Sequence, residues 1–252
     1  MNGENAIEIR GLVKDFGTKR AVNGITLSVS VGELFALLGV NGAGKTTTIR
    51  MLSGLSKPSG GDASVMGNSI LTNLAGVKKC SNLSPQETAV APNLTVRENL
   101  EFMARTYGAS RKEASRDADE VIVRLAMEEV AGKKAKLLSG GWQRRVSIAM
   151  ALVTKPKVLY LDEPTLGLDV LARRELWKIV EGLKGSVTIV LTTHYMEEAE
   201  ALSDHVAVMV DGDVKAYGTV EELRAQTGKD SLEEAFIAIA EGRETANVGE
   251  EG

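Results

Sequence analysis

A glycine-rich segment that ends in lysine and threonine, GVNGAGKT (Gly39–Thr46), carries residues suited to phosphate chemistry. It fits the pattern G-x-x-x-x-G-K-[ST] and lies between an apolar run and a helical stretch. Glycines let backbone N–H groups close around phosphates, and the start of a helix favours an anion. Lys45 would neutralise the β- and γ-phosphates, and the Thr46 hydroxyl would bind Mg²⁺. The alternative is a glycine-rich turn with a surface lysine, but the spacing and context favour a nucleotide-binding loop.

Two consecutive carboxylates, Asp162 and Glu163, follow an apolar run in the segment VLYLDEP. Ligands of open parallel sheets bind just beyond the strand ends, where both carboxylates would stand. Asp162 suits a link to Mg²⁺, and Glu163 suits a base for an attacking water. A strand that ends in a polar turn is common, so the pair gains its weight from the phosphate-binding loop. Together they favour hydrolysis, whereas a small-molecule kinase would hold a substrate hydroxyl at the position of Glu163.

A second pair of glycines stands in LLSGGWQRR (Leu137–Arg145), ahead of a helical stretch. Ser139 is expected to cap this helix, and the glycines would let backbone N–H groups approach a phosphate at its N-terminus. We expect the basic pair, Arg144–Arg145, near the exposed side of the helix. Because Gly39–Thr46 already supplies one cradle, the simplest use for a second is the nucleotide of another chain. The segment therefore predicts a dimer.

Apolar, strand-like runs alternate with helical stretches along most of the chain. Such alternation predicts an α/β fold with a mostly parallel sheet and right-handed crossovers. Residues 94–130 have a helical pattern and predict a helical subdomain, and 205–218 predict a strand pair that turns at Asp211–Gly212. The other predicted strands are 7–12, 25–31, 34–39, 63–66, 158–164 and 187–194, and the other predicted helices are 46–52, 142–153, 172–183 and 196–203.

The 252 residues carry a net charge of −4 and a single cysteine, Cys80. This charge gives no electrostatic footprint for nucleic acid, so no such partner is expected. One cysteine excludes an intrachain disulfide and is typical of a reducing compartment. No apolar run approaches the ~20 residues of a membrane span, and the polar start MNGENAIEIR does not resemble a signal peptide. We expect a soluble chain without direct membrane insertion, which reaches a membrane only through a partner.

Short segments along nearly the whole chain resemble, in order, the motifs of ATP-binding cassette (ABC) ATPases. LSGG is similar to the family signature, and LYLDEP is similar to its acidic strand. Six or more ordered motifs at the family's spacing make the resemblance specific. The segments are KDFGTKRAV, GVNGAGKTT, SPQE, LSGG, LYLDEP, TLGLD and LTTH.

The resemblance implies ATP and Mg²⁺ as ligands and gives roles to the matching residues. Gln86 would sense Mg²⁺ and the attacking water, and His194 would contact the γ-phosphate. Asp169 would cross to a partner subunit, and Phe16 would stack on adenine. The implied catalytic residues are Glu163, His194, Gln86 and Lys45, and the implied metal ligands are Thr46, Gln86 and Asp162. The implied nucleotide-binding residues are Phe16, Gly39, Asn41, Gly42, Ala43, Gly44, Lys45, Thr46, Thr47, Ser139, Gly140, Gly141 and Asp169.

The fold that the resemblance implies is a P-loop NTPase core with a mostly parallel sheet. An N-terminal antiparallel β subdomain and an inserted α-helical subdomain would accompany this core. We expect a single ABC ATPase domain over residues 1–228, with the helical subdomain and signature at 87–150. Residues 229–252 would form a C-terminal helix and a flexible tail.

Several positions depart from the family pattern. Val40 and Val170 replace prolines that are common there, with little effect expected. KKCSNLSPQ is more polar than the usual strand before the glutamine, so that strand is expected to be short or irregular. Trp142 stands where the signature commonly has glutamine. We expect it to pack at the dimer interface or inside the helical subdomain.

The implied function is that of an ATP-binding and ATP-hydrolysing subunit that drives a separate transmembrane permease. It would be cytoplasmic, peripheral on the inner face of the cell membrane, and paired with a second ABC ATPase subunit, identical or different. LSGGWQRRVSIAMAL and DSLEEAFIAIAEG are similar to cassettes that export drugs, antibiotics and polysaccharides, which favours export. The alternatives are a soluble ABC ATPase in DNA repair or translation, and a nucleotide-dependent regulatory module.

Overall fold

The computed structural model describes residues 4–242. Its N-terminal part forms a four-stranded antiparallel sheet in the order β2-β1-β4-β5. Apolar residues at alternate positions of β1 point into the core, as the sequence pattern predicts, although β1 and β2 run longer than expected. The strands are β1 (Asn5–Phe16), β2 (Lys19–Ser30), β4 (Gly60–Val65) and β5 (Asn68–Ser69).

A six-stranded sheet forms the centre of the fold, in the order β10-β9-β3-β8-β7-β6. All neighbouring strands are parallel except the hairpin of β9 and β10. Every residue of β3, β7 and β8 is buried, which explains the apolar runs LFALL, VLYL and IVL within them. The strands are β3 (Leu34–Leu38), β6 (Ser81–Ser84), β7 (Val158–Asp162), β8 (Thr188–Thr193), β9 (His205–Val210) and β10 (Asp213–Gly218).

The hairpin between β9 and β10 turns at Asp211 and Gly212, as predicted. Both residues have positive φ angles, 49° and 87°. A two-residue turn with this backbone matches the twist of antiparallel strands, and an aspartate–glycine pair tolerates it well.

Nine α-helices lie in the described part of the chain. Capping boxes begin α3 at Thr95 and α4 at Ser110, where the side chain of the glutamate three residues later closes each box. The helices are α1 (Lys45–Leu52), α2 (Leu74–Cys80), α3 (Val96–Thr106), α4 (Arg111–Arg124), α5 (Gly140–Leu152), α6 (Val170–Glu181), α7 (Met196–Leu202), α8 (Val220–Thr227) and α9 (Leu232–Ala240).

Two helices, α2 and α8, were not predicted, because both are short and their apolar positions do not form a long periodic pattern. The end of α2 takes up the first residues of KKCSNLSPQ, so β6 has only four residues, Ser81–Ser84. The expectation of a short strand before Gln86 is thus confirmed. Most of the predicted flexible tail lies outside the described residues.

The buried apolar residues form three clusters around the central sheet. Leu159 and Leu161 of β7 pack with the helical region that includes α3, α4 and α5. The alternate residues Val158 and Tyr160 face the antiparallel sheet and α1. A third cluster joins β9 to α8 and α9. The parallel core, the antiparallel sheet and the helical region agree with the predicted fold.

The strand order decides where the functional segments meet. Strands β3, β8, β7 and β6 are consecutive neighbours and parallel, so their carboxyl ends lie at one edge. The glycine-rich loop follows β3, His194 follows β8, Glu163 follows β7 and Gln86 comes soon after β6. Segments far apart in sequence are therefore neighbours at this edge.

Candidate active site

The glycine-rich loop between β3 and α1 has little room for side chains at two of its glycines. A Cβ on Gly39 would stand 2.4 Å from the Met209 carbonyl oxygen. A Cβ on Gly44 would stand 2.5 Å from the Ala21 carbonyl oxygen, and Gly44 has a φ of 107°. Only glycine fits both places without a backbone shift, so the loop is held close against the neighbouring strands.

An open cleft of about 450 Å³ lies over this loop. This size suits a small-molecule ligand such as a nucleotide. Ten of the predicted site residues line it together, from four separate segments of the chain. The lining consists of Phe16, Lys19, Ala21, Asn41, Gly42, Ala43, Gly44, Lys45, Thr46, Thr47, Gln86, Glu163 and Leu166.

Lys45, the first residue of α1, is buried at the base of the cleft. Its Nζ donates to the Gly39 carbonyl oxygen at 2.7 Å and to that of Val40 at 3.2 Å. It also lies 3.2 Å from Glu163 Oε1, and both side chains are at most 6% exposed. A buried lysine charge requires such partners, so Lys45 is paired within the chain.

Oxygen atoms meet where β7 ends beside α1 and β8. The Thr46 hydroxyl donates to Asp162 Oδ1 at 2.9 Å, and the Thr192 hydroxyl donates to the same oxygen at 2.6 Å. Asp162 itself is buried. A hydroxyl next to a carboxylate offers the hard oxygen ligands that Mg²⁺ prefers, so these residues fit the predicted metal.

Glu163 stands between two basic side chains. Its Oε1 faces Lys45, and its Oε2 lies 2.7 Å from Nδ1 of His194. The backbone N–H of Glu163 donates to the Thr192 carbonyl oxygen at 3.1 Å, which fixes the turn after β7. The φ of Glu163 is +48°, an uncommon value for a residue with a side chain. Such strain is frequent at functional sites, and here it turns the carboxylate into the cleft.

Gln86 lines the cleft from an exposed loop after β6, and its backbone is held from α5. The Arg144 guanidinium donates to the Pro85 carbonyl oxygen at 2.6 Å and also to that of Gln86. Arg144 is buried, and this burial lowers the pKa of its guanidinium. The expectation that both basic residues lie near the exposed side of the helix is therefore wrong for Arg144.

The spacing on α5 shows how Arg144 could have been found. Ser147, Ile148 and Ala151 follow it at the intervals of one helix face, and all three are buried. Arg145 points elsewhere, pairing with Glu175 at 3.0 Å. The sequence signal for the burial of Arg144 was therefore its position on the same helix face as these buried residues.

Comparisons with known proteins agree with this geometry. A family model described as ABC transporter matches residues 22–166. The chain belongs to the ABC transporter family. It is 39% identical to the daunorubicin resistance ATP-binding protein DrrA3 of Streptomyces coeruleorubidus, over 91% of this chain and 73% of that protein.

Another relative is the linearmycin resistance ATP-binding protein LnrL of Bacillus subtilis (strain 168). The identity is 39%, over 90% of this chain and 73% of the relative. A solved structure titled as the ATP binding subunit of an ABC transporter superposes with a TM-score of 0.82 and 30% identity, and it covers 93% of this chain and 99% of that one. The protein is thus an ABC transporter subunit that binds and hydrolyses ATP to drive transport, and such a subunit works with a transmembrane partner.

None of the described helices is long and apolar enough to cross a membrane.

The signature of this ABC subunit lies outside the lining of the cleft in the described structure. Ser139 caps α5, as predicted: its hydroxyl accepts the Trp142 backbone N–H at 3.5 Å. A Cβ on Gly140 would meet nothing within 4 Å, so this glycine faces open space. Asp169 also lies outside the lining, and its carboxylate accepts the Ala172 N–H at 2.9 Å as the cap of α6.

Trp142 is half-buried and packs against the core of the helical region. The Arg145 guanidinium lies over its ring, 4.2 Å from the centroid. This contact uses the ring as a packing and cation–π partner within the chain. Of the two expected positions for Trp142, the structure supports the one inside the helical region.

Proposed function

We propose that this ABC subunit binds Mg²⁺–ATP in the cleft over Gly39–Thr46 and hydrolyses it as one of two cassettes that close face to face. Closure and reopening would drive export through a transmembrane permease. The observation that carries the proposal is the placement of Glu163, between Lys45 and His194 and next to the oxygen cluster at Asp162.

ATP would lie along the glycine loop, with its base against Phe16. This ring is 55% exposed at the rim of the cleft, and the Lys14 Nζ lies 5.0 Å from its centroid. Thr46 and Asp162 would hold Mg²⁺ together with Gln86. The metal ion, when bound, would neutralise charge on the phosphates.

The pairing of Lys45 with Glu163 makes the availability of the Glu163 carboxylate depend on bound ATP. The Lys45 Nζ that pairs with Glu163 is also the group predicted to bind the β- and γ-phosphates. Phosphates in the loop would therefore compete with Glu163 for the same ammonium group. Released from this pair, the Glu163 carboxylate would accept a proton from the attacking water, while His194 would hold the γ-phosphate side of the site.

Two exposed apolar side chains favour a second cassette. Leu137 and Leu171 are 73% and 76% exposed, and they lie next to the signature and to Asp169, respectively. A partner cassette would cover them and receive Ser139, Gly140 and Gly141 over its nucleotide. We propose a homodimer, with residues 1–228 as the ATPase domain, 87–150 as its helical subdomain, and 229–252 as a C-terminal helix and tail.

A groove of about 370 Å³ lies where the helical region meets the parallel sheet. Its lining includes Leu83 and Pro85, next to the Gln86 loop, and Met103 and Met150 from the helices. We propose that the permease contacts this groove, which would place the subunit on the inner face of the cell membrane. The names of the two resistance proteins favour export. The net charge of −4 does not favour a soluble ABC ATPase that acts on nucleic acid.

Glu163→Gln tests this function directly. The amide keeps the shape of the side chain but cannot accept a proton, so we expect turnover to fall by about a hundredfold or more. With ATP and Mg²⁺ present, the variant should shift from monomer to dimer in size-exclusion chromatography. Glu221→Gln, on the exposed side of α8, is the matched control and should retain turnover. A Glu163→Gln protein that stays monomeric at high concentration and still hydrolyses ATP would contradict the proposal.

A further inference from the structure

Arg144 holds the backbone of the loop that carries Gln86. Two nitrogens of its guanidinium donate to two consecutive carbonyl oxygens, those of Pro85 and Gln86. The Gln86 side chain is exposed and lines the cleft, whereas Arg144 is only 5% exposed. Because Arg144 holds main-chain atoms, it fixes the place from which the Gln86 side chain extends.

A neighbouring contact strengthens this attachment. Ser147 lies on the same face of α5 as Arg144, and its hydroxyl is 3.0 Å from the Ser84 hydroxyl, with both buried. One face of α5 therefore holds three consecutive residues, Ser84 to Gln86. The loop and the helix are joined as one unit at this point.

The charge of Arg144 is satisfied in an unusual way. Within the described residues, no carboxylate forms a salt bridge with it. Asp162 and Glu198 favour the charged form only from a greater distance. Burial of a cation without a paired carboxylate is costly, so the two carbonyl oxygens are its main compensation. This makes the contact between α5 and the loop hard to replace by water.

The same helix begins with the signature. Ser139 caps α5, and Arg144 follows little more than one turn later. The amino end of α5 thus faces the space proposed for the partner's nucleotide, and its next turn holds the Gln86 loop of this chain's own cleft. The first two turns of α5 therefore connect the signature to the loop that carries Gln86.

We propose that Arg144 is a positioning residue that links the two ATP sites of the dimer. When Ser139–Gly141 contact the partner's nucleotide, α5 is held in one position. Arg144 then fixes the position of Gln86 in the cleft of the same chain as α5. This inference rests on the proposed dimer and extends it, because it assigns to one side chain the coupling between the sites. A coupling of this kind makes hydrolysis cooperative in ATP.

A double-mutant cycle with the full-length chain tests the link. Arg144→Gln removes the charge and the forked donor but leaves the carbonyl oxygens, and Gln86→Ala removes the side chain that they position. We expect Arg144→Gln to lower kcat about tenfold to a hundredfold, since small misplacements of a catalytic group have effects of this size. ATP affinity without Mg²⁺ should stay within about twofold, because the glycine loop is untouched. In the Gln86→Ala background, Arg144→Gln should have almost no further effect on kcat.

Two further measurements separate positioning from general stability. The Hill coefficient for ATP should fall from above one to about one in Arg144→Gln. Arg144→Lys, which keeps the charge and reaches one carbonyl oxygen, should recover part of both kcat and cooperativity. Arg116→Gln removes an exposed guanidinium of α4 and should match the wild type in every measurement.

Each alternative outcome has a distinct meaning. If the effects of Arg144→Gln and Gln86→Ala on kcat multiply, Arg144 does not act through Gln86 and the inference is wrong. Unchanged cooperativity in Arg144→Gln would likewise overturn it. If Arg144→Gln does not fold, the same cycle is run with Arg144→Lys and decides the question. A wild-type chain that neither dimerises with ATP nor hydrolyses it would contradict the proposed function itself.

Discussion

Two segments of this chain carry the glycines of a phosphate cradle, and their surroundings differ. The loop Gly39–Thr46 is enclosed on its inner side, where strand backbones leave no room for a Cβ at Gly39 and Gly44 and Lys45 is buried, while its Gly42 faces the open cleft. The segment Ser139–Gly141 is open, and a Cβ on Gly140 would meet nothing within 4 Å. The first cradle is complete within one chain, whereas the second is bounded only by its own helix and by Ala172 of α6, which lies 3.1 Å from a Cβ placed on Gly141.

The difference indicates how each cradle is used. A site that is fully formed in one chain can bind its ligand alone, because its groups are already in place. An open helix N-terminus becomes a site only when another surface brings a phosphate to it. We therefore propose that the enclosed loop accounts for ATP affinity and that the open signature accounts for dimer closure and turnover. Substitutions in the enclosed loop and in the open signature should therefore separate ATP affinity from turnover.

Lys45→Ala should have the largest effect, because it removes the buried charge of the enclosed cradle. We expect ATP affinity to fall by about a hundredfold or more, with turnover lost as a result. Equilibrium binding of labelled ATP measures this change. Lys112→Ala, on an exposed position of α4, is the matched control and should bind like the wild type. Normal ATP affinity in Lys45→Ala would show that the enclosed cradle is not the binding site.

Gly140→Asp should lower turnover while leaving ATP affinity almost unchanged. The added carboxylate fits the free chain and even suits a helix N-terminus, so stability and ATP affinity should remain close to those of the wild type. A negative charge facing the partner's phosphates should lower turnover by about a hundredfold and prevent the ATP-dependent dimer. Turnover and size-exclusion chromatography test both points.

Gly132→Asp is the control for this change, since a Cβ there also meets nothing within 4 Å and the residue is exposed in the same helical region. It should retain turnover. A Gly140→Asp protein with full turnover would mean that the open cradle has no role in hydrolysis.

Phe16→Ala tests a smaller contribution to the enclosed side. Loss of the exposed ring should weaken ATP binding by about fivefold to tenfold, because stacking on one aromatic ring contributes about 1–3 kcal/mol and an exposed ring stands at the lower end of this range. Maximal turnover at saturating ATP should change little. The affinities for ATP and for free triphosphate should be compared, since only ATP has a base to lose the contact. An equal loss for both ligands would contradict adenine stacking on Phe16.

Trp142→Gln should have the smallest effect on hydrolysis. The indole is half-buried against the core and under Arg145, so its removal should lower stability by about 1–2 kcal/mol. Turnover should stay within about threefold of the wild type, far milder than in Ser139→Arg, which places a long cation in the open cradle. Thermal unfolding and ATPase rates of the two variants give the comparison. An inactive but normally folded Trp142→Gln protein would show that the tryptophan takes part in the reaction.

The enclosed cradle could be predicted from sequence because its information is local. The spacing in Gly39–Thr46 and the apolar run before Asp162 each occupy one short stretch. The family resemblance then brought Gln86 and His194 into the same group, and the strand order explains why they meet.

The contacts between distant segments could not be predicted in the same way. The pairing of Lys45 with Glu163 depends on two strand ends in the folded sheet. The burial of Arg144 was missed because a basic pair in sequence suggests a charged surface, and only the helix face shared with Ser147 separates it from Arg145. The short helices α2 and α8 lack a long apolar pattern, but the capping box of Thr219 and Glu222 and the left-handed Gly228 mark the two ends of α8 and were the available signal.

Mixing two inactive variants tests the central claim most directly, namely that the open cradle serves the nucleotide of another chain. Lys45→Ala has an intact signature, and Gly140→Asp has an intact enclosed cradle. In a mixed dimer, one complete site forms from the enclosed cradle of the Gly140→Asp chain and the signature of the Lys45→Ala chain. Because a mixed dimer holds one complete site of two, ATPase activity should rise well above the sum of the two variants alone and reach at most about half of the wild type. Activity that stays at the sum of the two variants alone would contradict the account.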